Sequence, residues 1–554
     1  MEKRDGTRRI EKLFNFRPVL FAALFLCLGI LFYFFYHFCG ISALWLLCLL
    51  PLAGLPFFFC RTREKAWKTA CAVALLGCFF FLGFFSFSLQ TGTFFDCDRW
   101  LGEQYVTGYV VEKREYGSRT AVVLDGLRIG KERVSGKLIA YLPPSDGENI
   151  GLCDELFLHG KLGATTVTAE NFSLTAKSFG DGVRLRTWTG DVYVTGKRFD
   201  LFLFLRLRVE EAIDKGMDET PAAVTKAVLF GNTDGIDEGL YENIRRGGIA
   251  HIFAVSGLHV GVLYGFCLTL LKRKPFEKLP KLGRFALLFA LLFGYAGVCG
   301  FSASVVRATV ICLISYASSL LSVRKDFLES LGLALMIVLL PTPSALFEVG
   351  CQLSFAACFG IAFLSKPIGQ VFDELQKLYR KRFPRQLTRE QRKLIKKGDT
   401  LPLSVGERAY RAVASFLSAS LSAQIFTAPL MLQAFGYVSG WGMLLNCLFI
   451  PLVSALFSAL LLLVVLACLL PIGFASVILY LPNAVWSLLL LLFQTLDFSS
   501  FAVQGLTLSA GALVAYYFGW IFCTDKFNLK KSFSYVLVGV CFLAFAITMV
   551  ALNV

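Results

Sequence analysis

The sequence predicts a polytopic α-helical membrane protein of about 13 spans, each roughly 20 residues long, with a small OB-like β-barrel inserted outside the membrane. Three observations predict this fold class. The 554-residue chain is 56% hydrophobic with a mean hydropathy of +0.64. Apolar runs long enough to cross ~30 Å of hydrocarbon recur along it. Residues 100–178 instead carry short β-type runs separated by turn residues.

The first membrane block comprises residues 1–90. It contains three apolar runs, at 18–38, 41–59 and 67–89. No small-residue cleavage site follows the first run, so we expect it to be retained as a span rather than removed as a signal peptide.

The net charge of +16 is explained by membrane topology. Cytoplasmic loops of membrane proteins are enriched in Lys and Arg, and one threading places all the basic segments there: 3–9, 61–68, 272–284, 324–325, 366–411 and 526–531. This threading predicts a cytoplasmic N-terminus, with residues 91–196 and the C-terminus outside.

Residues 91–196 form the predicted extracytoplasmic domain. The runs at 105–130, 137–144, 154–162 and 165–174 are rich in β-branched and aromatic residues. About five short strands fit a five-stranded OB-like barrel. OB barrels bind single strands by stacking bases on aromatic side chains in a basic groove, and the candidates here are Tyr105, Tyr109, Arg114, Tyr116, Arg119, Arg128 and Lys137. The alternative is a barrel core of tyrosines with a solvated basic face.

Cys97 and Cys153 differ from most of the 17 cysteines, which lie in apolar spans. Both fall in the extracytoplasmic segment, where disulfides persist. We expect a disulfide between them that contributes about 4 kcal/mol in the chain-entropy model. The alternative is two free thiols.

Residues 197–249 are predicted to form amphipathic helices at the outer interface. Phe199, Phe202, Leu203 and Leu207 recur at helical spacing, but the charges between them are too many for a span. The stretch 221–246 is predicted to be helical and partly interfacial.

The second membrane block, residues 250–554, carries polar groups at membrane depth: His251, Ser256, His259, Arg307, Glu348, Gln352, Gln424 and Asn446. A charged group at the bilayer centre costs about 2.5–3.5 kcal/mol even on the lower scales, so such groups usually face a protein interior or a water-filled path. We therefore expect a polar-lined passage.

Alternatives remain for several of these residues. Arg307 is a candidate counter-charge for Glu348, or it snorkels to an interface. Gln424 and Asn446 line the passage, or they only join helices through hydrogen bonds.

The stretch 247-GGIAHIFAVSGLHVGVLYG-265 carries two histidines, a serine and five glycines within an apolar context. Gly257 and Gly261 allow close backbone approach or a broken helix, which is tolerated at membrane depth only inside protein or beside water. One hypothesis is a Ser256–His259 dyad of an intramembrane serine hydrolase or protease. The other is a polar lining. Because the remaining histidines, His37 and His159, lie in other segments, we favour the second and expect no enzymatic activity.

The blocks 227-AVLFGNTDGID-237, 251-HIFAVSGLHVGVL-263, 301-FSASVVRA-308, 345–361 and 424–454 resemble the ComEC family of competence proteins. The resemblance implies an N-terminal membrane block, an external OB-like domain and a channel domain that transports single-stranded DNA across the cytoplasmic membrane during natural transformation. It also implies an external DNA receptor and membrane lipid as partners.

Many members continue into a metallo-β-lactamase-like nuclease domain with a histidine-rich metal cluster. This chain has four histidines and no such cluster, so we expect no metal, no cofactor, and either a separate nuclease or a truncated, less active form. A Gly-x-x-x-x-Gly-Lys-Ser/Thr loop is also lacking, so the driving force must come from elsewhere. The resemblance implies a cytoplasmic helicase-like motor or single-strand-binding protein, or an ion gradient. A transporter of another anionic polymer or metabolite remains an alternative.

Overall fold

The structure is a computed structural model that describes residues 17–40, 42, 63–96, 98–116, 119–168, 172–189, 191–233, 235–253, 255–323, 326–382, 404–470, 474–495, 502–504, 510–522, 537–541 and 543–545. The predicted span at 41–59 lies almost wholly outside these residues.

The N-terminal block consists of α1 (Pro18–Phe38) and α2 (Arg63–Phe95), which pack against each other. This pair also joins the second block. Arg17, 5% exposed, makes an ion pair with Asp326, with 2.9 Å between Nε and Oδ2. Because Asp326 also caps the following helix, the two membrane blocks form one packed unit.

The barrel domain follows α2. Its elements are β1 (Gly102–Tyr116), β2 (Arg119–Ile129), β3 (Glu132–Arg133), β4 (Lys137–Leu142), α3 (Pro144–Glu148), β5 (Asp154–Ala164), α4 (Phe172–Gly180), β6 (Val183–Trp188) and β7 (Asp191–Lys197). Five strands close in the order β1-β2-β4-β6-β5-β1, and only the β4–β6 pair is parallel. Inward-facing residues alternate along the strands, so Val122, Leu124, Leu138 and Leu185 fill the core.

The closed barrel confirms the predicted OB-like domain, but the fifth strand was assigned to the wrong residues. Of the predicted run 165–174, the described residues 165–168 are not in a strand, and α4 begins at Phe172. The fifth barrel strand is β6. Tertiary packing overrides local strand propensity here, because Phe179 of α4 is 1% exposed and packs on Phe87 and Phe94 of α2. Thus α4 anchors the barrel to the membrane block.

The described residues of 197–554, which join the predicted interfacial segment to the second block, contain helices and one short strand pair. The helices are α5 (Leu201–Gly216), α6 (Glu219–Phe230), α7 (Glu238–Arg246), α8 (Ala250–Phe253), α9 (Gly257–Leu271), α10 (Lys281–Val298), α11 (Ala303–Leu320), α12 (Phe327–Leu339), α13 (Val349–Arg382), α14 (Val405–Phe435), α15 (Gly442–Leu469), α16 (Ala475–Thr495) and α17 (Ala510–Phe522). Strand β8 (Tyr437–Ser439) pairs with β9 (Ala502–Gln504).

Eight helices of the described part are long and apolar enough to cross a membrane: α1, α2, α10, α11, α13, α14, α15 and α16. Shorter apolar helices include α9, α12 and most of α17. The predicted class, a polytopic α-helical membrane protein with a small inserted barrel, is confirmed.

Helices α5 and α6 differ in their surroundings. Helix α5 exposes the apolar side chains of Leu201, Phe204 and Leu205 in its first half and buries Ala212 and Ile213 in its second half, so its interfacial position stays a prediction. Helix α6 is buried along most of its length in the cluster formed with α15 and α16. In contrast to the predicted interfacial position, α6 lies inside the bundle, because its apolar residues cover all of its sides.

Candidate functional site

The polar stretch of the second block contains a helix break. Helix α9 has 15 residues and is therefore only ~22 Å long at 1.5 Å per residue, short of the ~30 Å hydrocarbon layer. The four-residue helix α8 precedes it, and Ser256 between them is extended. Helix α9 is thus shorter than its neighbours α10 and α11, which are candidate spans.

Ser256 and His259 form the N-terminal cap of α9. The Ser256 Oγ accepts from the backbone N–H of Leu258 at 3.3 Å, and the backbone N–H of Ser256 donates to Nδ1 of His259 at 3.1 Å. Each side chain thus satisfies a backbone donor that a helix N-terminus leaves open. Because Nδ1 is the acceptor, the ring proton of the neutral imidazole resides on Nε2.

His259 is also packed between helices. It is 1% exposed, and its ring meets Phe457 of α15 edge-on at 4.8 Å between centroids. Within the described part of the chain, its Nε2 has no hydrogen-bond partner.

Gly257 brings α9 against Arg307 of α11. A Cβ at position 257 would lie 3.0 Å from Nη2 of Arg307. The Arg307 side chain is 6% exposed, its Nη1 donates to Sγ of Cys358, and its guanidinium lies over the Phe355 ring at 5.6 Å. Its Nε finds no partner among the described residues. Arg307 is therefore inside the bundle rather than snorkelling to an interface.

The predicted ion pair between Arg307 and Glu348 is wrong. Ser304 Oγ lies 3.0 Å from Ser354 Oγ, which sets α11 beside α13 and places Arg307 level with Cys358. Glu348 immediately precedes α13 and is ten residues from Cys358, or ~15 Å along a helix. Gln352 also points elsewhere, since it donates to the carbonyl of Leu346 at 3.0 Å.

A second tight contact joins the turn before α8 to the link between α14 and α15. Gly248 has a φ of 75°, and a Cβ there would lie 2.9 Å from the Cα of Gly442 and from the Cβ of Ser439. A Cβ at Gly442 would lie 2.9 Å from Nε2 of Gln424. Further along α15, Asn446 is 5% exposed, and its Oδ1 has no partner in the described part of the protein.

The same turn is held by Tyr437, which sequence reasoning missed. Its hydroxyl donates to the carbonyl of Arg245 at 3.2 Å and accepts from Nε of Arg245 at 3.1 Å. Burial raises the pKa of Tyr437 above its ordinary value, so the phenol stays neutral and keeps its donor. The charged residues of α7 were the available sequence signal, because Arg245, which pairs with Glu242 on the same helix, also needs an acceptor outside it.

The structure thus brings together only some of the predicted residues. Ser256, Gly257, His259 and Arg307 are neighbours. Gln424 lies at the glycine contact. His251, on α8, is exposed.

Two further glycines of α9 border open space. A Cβ added at Gly261 or at Gly265 would meet no heavy atom of the described residues within 4 Å. Spaced four apart, Gly257, Gly261 and Gly265 share one face of α9, called here the glycine face. This face is closed by Arg307 at its first glycine and open at the other two.

The predicted DNA-binding residues of the barrel do not form one surface. Tyr105 stacks on His159 at 4.4 Å, and Tyr109 faces Arg198 at 5.5 Å. Arg119 lies over Trp188 at 4.5 Å, on another side of the barrel. Arg128 and Lys137 lie on β2 and β4. The side chains of Arg114 and Tyr116 lie outside the described residues.

The predicted disulfide is also untested. Cys97 lies outside the described residues. Cys153 is half-buried and has no disulfide partner among the described residues, and burial raises the pKa of its thiol. The pairing stays a prediction.

These features define a multi-pass membrane protein in which a helical bundle with a polar, glycine-rich break carries an OB-like barrel. Residues 228–526, more than half of the chain, match the model of the competence protein family. The chain belongs to that family.

Two curated relatives are similar over shorter stretches. ComE operon protein 3 of Bacillus subtilis is 28% identical over 176 residues, which cover 32% of this chain and 22% of that protein. Uncharacterized protein MG316 of Mycoplasma genitalium is 30% identical over 139 residues, covering 25% of this chain and 35% of that protein. The matches therefore span about a fifth to a third of these relatives. No solved structure matches the chain.

Proposed function

We propose that this chain is a channel for DNA uptake that passes single-stranded DNA across the cytoplasmic membrane. The observation that carries the proposal is the buried guanidinium of Arg307 at Gly257, the position where the open glycine face of α9 begins. Membership of the competence protein family supports DNA as the transported polymer.

The chemistry of the site suits a polyanion. A nucleic-acid strand carries one charge per phosphate, so a path through the membrane must supply donors or water. Arg307 supplies a fixed positive charge, and Gly261 and Gly265 leave room beside it because they carry no side chain. The positive-inside rule assigns the basic segment 272–284, after α9, to the cytoplasm. The strand would then move along α9 from the barrel end inward.

The other parts of the uptake system follow from this role. An external receptor delivers DNA to the barrel, a nuclease removes the complementary strand, and a cytoplasmic helicase-like motor or single-strand-binding protein draws the strand in.

One observation favours a second candidate, an intramembrane serine hydrolase: Ser256 Oγ lies 3.3 Å from Nδ1 of His259. A catalytic base needs a free lone pair to take the serine proton. Here the Nδ1 lone pair already accepts the backbone N–H of Ser256. The cap geometry therefore supports a structural pair.

Ser256→Ala is expected to lower DNA uptake only moderately, because losing an N-cap side chain costs about 0.5–2 kcal/mol. Ser256→Asn, which restores a cap acceptor, should return uptake to near the parent level. The measurement is uptake per amount of membrane protein, together with labelling by a serine-reactive fluorophosphonate. Abolished uptake in both variants at normal protein level, with labelling of the parent chain, would establish the hydrolase instead.

The proposed function is tested by uptake of DNA labelled on one strand in cells with and without the gene. We expect the label to stop outside the cytoplasmic membrane in the deletion strain and to enter again on complementation. Equal entry in both strains overturns the proposal and leaves a transporter of another anionic polymer or metabolite as the remaining candidate.

A further inference from the structure

The barrel carries a stack of aromatic and cationic groups that the sequence analysis did not assemble. The rings of Tyr141 and Trp188 lie 4.2 Å apart at 18° to each other, and the guanidinium of Arg119 lies 4.5 Å from the Trp188 ring. Trp188 is nevertheless 54% exposed. An exposed indole ring on a strand can stack against a second planar group.

The strand register produces this arrangement. Strands β4 and β6 are parallel, and Tyr141 is directly opposite Trp188. Alternation sends Ala140 and Thr187 into the core and turns Tyr141 and Trp188 outward. Strands β2 and β4 are the second and third strands of the barrel once the two-residue β3 is set aside, which is the face that OB-folds use for oligonucleotides.

The charge on this face suits phosphates. Strands β4 and β6 contain Lys137, Arg184 and Arg186 and no acidic residue. Arg184, Arg186 and Trp188 alternate along β6, so they project outward at ~6.6 Å intervals. Arg184 also lines a cavity of about 350 Å³ with Gln90 of α2 and Pro341. A row of cationic groups therefore leads from the Trp188 ring to the membrane block.

The opposite face has aromatic residues but a different charge pattern. Tyr193 of β7 is 64% exposed, and Tyr105 stacks on His159. However, Asp191 begins β7 and lies 3.8 Å from His159, and Glu155 opposes Gly196 in the same strand pair. Carboxylates here would repel a phosphate backbone.

We propose that the Trp188 face, defined as Arg119, Tyr141, Arg186 and Trp188, binds single-stranded DNA. A base replaces the Arg119 guanidinium on the Trp188 ring, and the released Arg119 pairs with a phosphate, as does Arg186. This inference rests on the proposed function and names the site that receives the strand. The row formed by Trp188, Arg186 and Arg184 directs the bound strand toward the bundle.

The test uses the full chain in lipid nanodiscs and a fluorescein-labelled oligo-dT of about 16 nucleotides, the upper site size of one OB-fold. Base–aromatic stacking is worth ≈ 1–3 kcal/mol, so Trp188→Ala should weaken binding roughly 5- to 150-fold. Trp188→Phe should recover part of the loss. Arg186→Gln should weaken binding. It should also reduce the slope of log affinity against log salt concentration by about one, the value for one lost phosphate contact.

Tyr193→Ala is the matched control, an exposed aromatic on the opposite face, and should leave affinity unchanged. Equal weakening by Tyr193→Ala and Trp188→Ala, or equally tight binding of duplex DNA or heparin, overturns the proposed site. If Trp188→Ala lowers the unfolding temperature, the binding affinities of Arg186→Gln and Trp188→Phe test the site instead. The two proposals fail separately. If the oligonucleotide does not bind at Trp188 but deleting the gene still abolishes DNA uptake, only the Trp188 site is wrong. If the oligonucleotide binds at Trp188 but deleting the gene does not change uptake, the channel function is wrong.

Discussion

Replacing Gly248 with alanine is expected to remove most of the correctly assembled protein from the membrane. Gly248 has a φ of 75°, and an added Cβ would lie 2.9 Å from the Cα of Gly442. The left-handed backbone costs a non-glycine residue roughly 1–2 kcal/mol, and overpacking adds about 1–3 kcal/mol. Together these are a large fraction of the roughly 5–15 kcal/mol that stabilises typical proteins. The measurement is the unfolding temperature in detergent and the protein level in membranes.

Gly261→Ala is the matched control because it adds the same methyl group to a nearby glycine. A Cβ at 261 meets no heavy atom within 4 Å among the described residues, so level and unfolding temperature should be unchanged. If the two variants behave alike, the tight contact between the turn at Gly248 and the link at Gly442 does not exist as described.

Arg307→Gln is expected to reduce DNA uptake at least tenfold while leaving the protein assembled. The guanidinium is buried, and its contacts within the described part of the chain are with Cys358 and Phe355 rather than with a carboxylate. Removing a buried charge without an ion-pair partner relieves a desolvation cost, so the protein level should hold or rise. Uptake should fall because the fixed charge for the phosphate backbone is gone. Arg307→Lys keeps the charge but not the planar donors and should retain partial uptake.

Two further variants separate this account from a structural role for Arg307. Arg208→Gln removes a half-exposed arginine of α5 and should not affect uptake. Adding Glu348→Gln to Arg307→Gln should restore nothing, since the two side chains are not paired. Recovery of uptake in the double variant would show that the charges are coupled.

The membrane architecture could be predicted from sequence because an apolar run of about 20 residues has few alternatives to a spanning helix. Helix α13 and the pair of α1 and α2 are examples. The barrel was recognisable from its alternating runs. Strand β6 was missed because its short alternating run forms a strand only by pairing in parallel with β4, which the sequence does not reveal. Local pattern also misassigned the described residues 165–168 and 172–174, the last of which belong to α4, the helix that packs Phe179 on α2.

The site was less predictable than the fold. The block containing Ser256, Gly257 and His259 identified the break, but the contact of Gly257 with Arg307 depends on how α9 packs on α11, fifty residues away. The predicted pairing of Arg307 with Glu348 was wrong because it rested on charge alone, and the sequence does not show how far α11 and α13 are offset along their axes. The Trp188 stack likewise joins residues from three strands that only barrel closure brings together.

The most direct test places a photo-crosslinking benzoylphenylalanine at position 261 and, as the control, at Phe289. Position 261 lies on the glycine face, whereas Phe289 is 45% exposed on α10, a candidate spanning helix outside the proposed path. Radiolabelled DNA is illuminated during uptake in variants that still take up DNA. The channel account predicts labelled protein from position 261 and none from 289. Absence of crosslinks at 261, or equal crosslinking at both positions, would contradict it.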